Sequence, residues 1–117
     1  MVEKRNNDNE LFRKFRRILL ESVDEGLNLL GESVKHTVYY YINKNDCLKR
    51  EDIPLRPEDF SKALRNIFGS VGASFIEDQI LKSLYRKIGA EYVREEHVTF
   101  KDHVEKAVNI YREKLTG

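Results

Sequence analysis

The chain has 117 residues, 40% of them hydrophobic and 35% charged, which is enough apolar material for one core beneath a densely ionised surface. Lysine and arginine number 21 against 20 aspartates and glutamates, so no global field draws the chain to nucleic acid or to anionic lipid. No apolar run reaches the roughly 18 residues of a spanning helix, and residues 1–9 lack a signal-peptide core. The single Cys47 can form no disulfide within the chain. A cytoplasmic protein without membrane contact is the expectation.

Residues 1–9 are polar and offer nothing to bury, which predicts a flexible tail ahead of one helical domain over residues 10–117. From Glu10 onward Phe12, Phe15, Leu19, Val23, Leu27 and Leu30 recur at three- and four-residue spacing, predicting an amphipathic helix that stops at Gly31. Leu11, Ile18, Leu20 and Leu29 widen its stripe, so it should be covered on more than one side. A short second helix starts near Glu32 or Ser33. It runs through Val34, Val38, Tyr41 and Ile42 to the turn-forming residues Asn43 to Asp46. Leu48 to Arg56 reads as a connector, because Pro54 and Pro57 forbid regular helix while Leu48, Ile53 and Leu55 can pin the chain to the core.

Pro57 suits the first position of a third helix, and Glu58 and Asp59 follow it at the positive end of the helix dipole. Phe60, Leu64, Ile67 and Phe68 form its apolar stripe. Gly69, Ser70 and Gly72 interrupt the pattern before a fourth helix carrying Phe75, Ile76, Ile80, Leu84 and Ile88 up to Gly89. Residues 90–98 read as a loop, with Tyr92, Val93 and Val98 as the residues that could form a short extended segment. Thr99 and Asp102 resemble a capping box, and Phe100, Val104, Ala107, Val108, Tyr111 and Leu115 outline a closing helix. The expected fold is all-α, a compact bundle of about five helices.

The residues that carry chemistry are sparse. His36, His97 and His103 do not pair at the three- or four-residue spacing that places two metal ligands on one helical face. Ser33 and Cys47 are the candidate nucleophiles, but neither has a neighbouring base, and Glu32 reads as a first-turn carboxylate favoured by the helix dipole. Gly69-Ser-Val-Gly72 lacks the Gly-Lys-Ser/Thr ending of a nucleotide loop and is read as a tight turn between helices. No catalytic, cofactor or metal residue emerges, and a non-enzyme is the expectation.

Two surface features stand out. Arg13, Lys14, Arg16 and Arg17 crowd one segment of the first helix and are the candidate phosphate contacts. With the glycine turn and the helix after it, they would make a small nucleic-acid-binding regulator of helix-turn-helix type. The acids Glu77 and Asp78, at the base-reading end of that helix, count against it. Tyr39, Tyr40 and Tyr41 spread around the circumference of a short helix, so all three cannot enter one core, and aromatic rings are enriched at interfaces. They are the candidate interaction surface.

The run Leu20-Glu-Ser-Val-Asp-Glu-Gly-Leu, then Leu30-Gly-Glu-Ser-Val-Lys with the Tyr39 to Tyr41 triplet, then Lys49-Arg-Glu-Asp-Ile-Pro, resembles an uncharacterised family of archaeal helical domains, the Nitrosopumilus output domain type. Pro57-Glu-Asp-Phe-Ser-Lys-Ala-Leu-Arg-Asn-Ile-Phe-Gly and Ile76-Glu-Asp-Gln-Ile-Leu-Lys-Ser-Leu-Tyr-Arg-Lys-Ile-Gly continue the likeness to Gly89. The resemblance implies no activity, cofactor or catalytic residue. It implies an output module in contact with a partner protein or with nucleic acid, and leaves open which. The surplus apolar surface of the Tyr39 to Tyr41 helix and of the first helix makes the functional expectation a helical protein-interaction module that self-associates as a homodimer, with nucleic acid as the less favoured partner.

Overall fold

Leu11, Phe15, Leu19, Val23 and Leu27 stand four residues apart and are all buried on α1 (Val2–Asn28). Each four-residue step advances the stripe by about 40° around the helix, so it turns through about 160° and meets several neighbours in succession. The computed structural model describes residues 2–116, with side chains from residue 9 onward. The helix expected to begin at Glu10 begins at Val2, so the backbone of residues 2–9, expected as a tail, is part of α1, while the side chains of residues 1–8 lie outside the description. The other elements are α2 (Glu32–Asp46), a 3-10 turn (Arg50–Asp52), α3 (Pro57–Lys87) and α4 (Phe100–Thr116). As the turning stripe requires, α1 touches α2, α3 and α4.

Among the described residues four helices are counted rather than five, because the two helical arms expected on either side of Gly69 are both present but meet there without a gap as α3. The break itself lies where the glycines suggest. Gly69 has φ 76 and ψ 173, a conformation that L side chains rarely adopt. There the helix folds back on itself: Ser61 donates a hydrogen bond to Glu77, although residues 16 apart in a straight helix would lie about 24 Å apart. Phe60 and Leu64 before the bend, and Ile76, Ile80 and Leu84 after it, enter one core with α1.

The second half of α3 packs tightly on α1. A Cβ placed on Gly26 would lie 2.5 Å from Ile80 Cγ1 and 3.4 Å from the Ile80 backbone nitrogen. Glu25, one residue earlier, accepts hydrogen bonds from Ser83 and Lys87 of α3. The Lys87 and Ser83 hydrogen bonds hold its carboxyl below the usual glutamate range.

The ends of the elements follow local chemistry. Cys47 ends α2 in a left-handed conformation and donates its N–H to the Ile42 carbonyl. Leu48 and Ile53 are fully buried and pin the connector, and Pro57 opens α3. Thr99 and Asp102 form the reciprocal cap of α4, with Asp102 N–H donating to Thr99 Oγ1 at 3.1 Å and Thr99 N–H donating to the Asp102 carboxylate at 3.2 Å. Residues 90–98 are loop and turn, as expected, and Tyr92, Val93 and Val98 form no strand.

Several expected core residues are instead exposed: Phe12, Leu29, Val34, Tyr41, Leu55, Phe75 and Leu115. Phe12 lies one residue, and so about 100°, away from Leu11, and α1 buries the Leu11 phase. Leu55 sits between two prolines at a corner that cannot continue the helix and stands away from the core.

Gly26→Ala tests the α1–α3 crossing. Alanine in an exposed helix interior raises stability by about 1 kcal/mol over glycine. Here a loss of about 1–3 kcal/mol in urea denaturation is expected, because Ile80 must move. A gain would mean that the two helices stand further apart.

Candidate interaction surfaces

Consecutive residues on a helix differ by about 100° in direction, and α2 separates its three tyrosines accordingly. Tyr39 turns toward α1, where its hydroxyl donates to the Asp24 carboxylate. Arg50 donates to both oxygens of the same carboxylate, at 3.1 and 2.7 Å. Partial burial raises the Asp24 carboxyl, but the Arg50 and Tyr39 hydrogen bonds together outweigh it and hold the group below the usual aspartate range. Burial and Asp24 push the Tyr39 phenol well up, so it stays a donor. Tyr39 thus ties α1, α2 and the 3-10 turn together.

Tyr40 and Tyr41 point outward, 65% and 50% exposed. Lys44, one turn on from Tyr40, lies 5.9 Å from the centre of its ring. Tyr41 joins Val34, Thr37 and Val38 with Ile67 and Phe68 of α3 around a shallow apolar depression of about 230 Å3. The tip of the α3 bend continues this end of the molecule with Val71, 87% exposed.

The four candidate phosphate contacts Arg13, Lys14, Arg16 and Arg17 are all exposed on α1, and they divide by face. Lys14 stands 3.9 Å from Glu10, a loose surface pair. Arg16 donates to the Glu51 carbonyl at 3.0 Å and, with Arg13, borders an apolar trough containing Phe12 and Leu55. Arg13 and Arg17 have no carboxylate partner among the described residues.

The acids that would oppose a nucleic acid at the second half of α3 are engaged within the chain. Glu77 accepts from Ser61, and burial raises its carboxyl above the usual glutamate range. Asp78 accepts from Tyr92 at 2.7 Å and from Arg94 at 3.0 Å, which straps the 90–98 loop onto α3. These groups line a polar cleft of about 600 Å3 between the two halves of α3 and that loop.

His103 lies at the cleft's inner end, 3% exposed, with neither ring nitrogen hydrogen-bonded. Tyr92 and Tyr85 meet its ring edge-to-face at centroid distances of 5.0 and 6.4 Å. Burial lowers its pKa, partly countered by the Glu95 charge. His36 pairs with Glu32 at 3.8 Å on α2, while His97 sits in the loop at φ 67. Among the described residues, no group of three or more His, Cys, Asp or Glu side chains is placed to hold a metal ion, and no helix is long and apolar enough to cross a membrane.

Spacing could not reveal the Asp24–Tyr39–Arg50 network or the trough, because both join residues distant in the chain. The one local signal was the strict four-residue repeat of α1, which leaves Phe12 out of phase. The chain matches no known family model, no curated protein and no solved structure in these comparisons.

His103 is expected to make stability depend on pH. Its folded pKa lies below the ordinary histidine value of 6.5, so the unfolded chain takes up a proton first on acidification. Its contribution is then complete above 6.5 and is lost as the pH falls from there toward the depressed folded value, with a slope of up to about 1.4 kcal/mol per pH unit. His103→Leu should flatten the urea-denaturation free energy over that interval. Parallel pH profiles for wild type and variant would contradict a neutral, unpaired imidazole.

Proposed function

We propose that the chain is a non-enzymatic helical protein-interaction module of output type that self-associates through the outer face of α2. The observation that carries the reading is the pair Tyr40 and Tyr41, more than half of whose combined surface is left open beside the apolar depression of Val34, Ile67 and Phe68. Tyrosine buries a large area with few rotatable bonds, and its hydroxyl stays satisfied at a wet rim. Two copies meeting about a twofold axis would lay α2 against α2, each tyrosine pair covering the other's depression. A cytoplasmic location fits this reading.

Sedimentation over a range of protein concentrations tests it. The wild type is expected to shift from monomer to dimer. Tyr40→Glu with Tyr41→Glu should weaken association about tenfold or more while leaving helix content and melting temperature unchanged, since both side chains are exposed. A wild type that stays monomeric throughout would overturn the reading.

A second reading, a nucleic-acid-binding regulator, is favoured by Arg13 and Arg17, exposed and without carboxylate partners among the described residues. Fluorescence anisotropy with generic duplex DNA at low and physiological salt separates the two. Phosphate binding would weaken steeply with salt and vanish when Arg13, Lys14, Arg16 and Arg17 are changed together to glutamine. Absence of binding at low salt would remove this reading.

A further inference from the structure

Between the N-terminal half of α1, the corner at Pro54 to Pro57, and α4 runs an open trough of about 620 Å3. Phe15 and Val104, both buried, form its floor, while Phe12 and Leu55 stand as walls, 53% and 69% exposed. The corner is held in place by the chain: Leu55 N–H bonds to the Asp52 carbonyl at 3.0 Å, and Pro57 begins α3. Two large apolar side chains are thereby kept facing solvent across a gap. A single exposed leucine needs no explanation, but opposed apolar walls over a buried apolar floor are the geometry of a docking groove.

The charges around the trough are one-sided, in a chain whose overall charge is balanced. Among the described residues, Arg13, Arg16 and Lys101 line it against one carboxylate, Glu105. Arg13 has no carboxylate partner among the described residues. Lys101 is held only loosely, 3.9 Å from Glu58 and 3.9 Å from Glu105. Arg16 spends one amine of its guanidinium on the Glu51 carbonyl. An occupant with an apolar stripe and flanking acids would satisfy both the walls and the rim, whereas a basic one would be repelled.

We propose that this trough docks a short acidic amphipathic helix of a partner protein, its apolar side chains between Phe12 and Leu55 and its carboxylates toward Arg13, Arg16 and Lys101. The trough is open on its outer side, while small-molecule sites enclose about 70–90% of their ligand, so a segment that brings its own backbone and covers the opening is the better occupant. The walls contributed by α1 from Asn9 to Arg16 and by α4 from Lys101 to Asn109 are each about 12 Å long, which suits a helix of two to three turns. The chain's own acidic apolar stretch, Glu91 to Glu96, is strapped down by the Tyr92–Asp78 and Lys106–Glu95 contacts and is a poor candidate from a second copy. The proposal rests on the interaction-module reading but makes no use of the tyrosine face.

The test is selection of random displayed peptides of about 15 residues on the full chain, followed by anisotropy titration of the strongest peptide recovered. The expected peptide carries apolar residues at three- and four-residue spacing and a net negative charge, and its binding weakens with salt. Leu55→Glu, and separately Arg13→Glu with Arg16→Glu, should each raise its Kd about tenfold or more, whereas Tyr40→Glu with Tyr41→Glu should not. The affected side chains are exposed, and an unchanged melting temperature shows that a variant is folded. Peptides without acidic amphipathic character, or binding unmoved by Leu55→Glu, would overturn the proposal. So would displacement of the peptide by generic duplex DNA as effective as by unlabelled peptide, which would make the cations a phosphate-binding strip. Peptide binding that persists in a chain shown to be monomeric would support the trough while removing the self-association reading.

Discussion

The chain reversal at Gly69 is the constraint on which the rest of the structure depends. A Cβ at that position would meet no neighbour within 4 Å, so space does not demand glycine there; the backbone does, at φ 76. The reversal lays the Phe60–Leu64 face and the Ile76–Ile80–Leu84 face into one core around α1. It also brings Ser61 to Glu77 and opens the polar cleft between the two arms. Without it α3 would be a rod of about 46 Å, longer than the whole molecule's largest dimension of 43 Å.

Around that core the charged groups work as ties between elements. Asp24 of α1 receives Tyr39 of α2 and Arg50 of the 3-10 turn, and Glu25 receives Ser83 and Lys87 of α3. Asp78 receives Tyr92 and Arg94 of the loop. Asp24 and Asp78 are partly buried, and each faces more than one donor, which offsets the desolvation that burial imposes, whereas Glu25 makes its ties at the surface. His103 is the exception. Its ring is packed between aromatic edges with no partner for either nitrogen, a cost the aromatic contacts only partly offset.

Two faces are left apolar after these ties are made, for different reasons. Helix α2 is short and packs mainly on α1, so only the phase of Val38 and Ile42 is covered and Tyr40 and Tyr41 remain outside. The trough between α1 and α4 exists because the proline corner keeps Leu55 from folding inward. One face is a pair of exposed tyrosines beside a shallow apolar depression, and the other is a groove with a basic rim.

The sequence by itself determined the all-α class and most helix ends, because these depend on neighbours in the chain. Pro57 at a first helical position, the Thr99–Asp102 cap, the pinned Leu48 and Ile53, and the interruption at Gly69 are all local physical chemistry. The phases of Leu19, Val23, Leu27, Ile80 and Leu84 were likewise legible from spacing. Tertiary structure alone decided that the two helical arms flanking Gly69 fold back against each other, that Tyr39 is an internal donor while its two neighbours face solvent, and that Phe12, Leu55 and Phe75 lie outside the core. Periodicity shows how apolar a face is but not which of two adjacent phases a neighbouring helix will cover. That choice is made by close contacts such as Gly26 against Ile80, between residues distant in the chain, and both candidate surfaces are what those contacts leave uncovered.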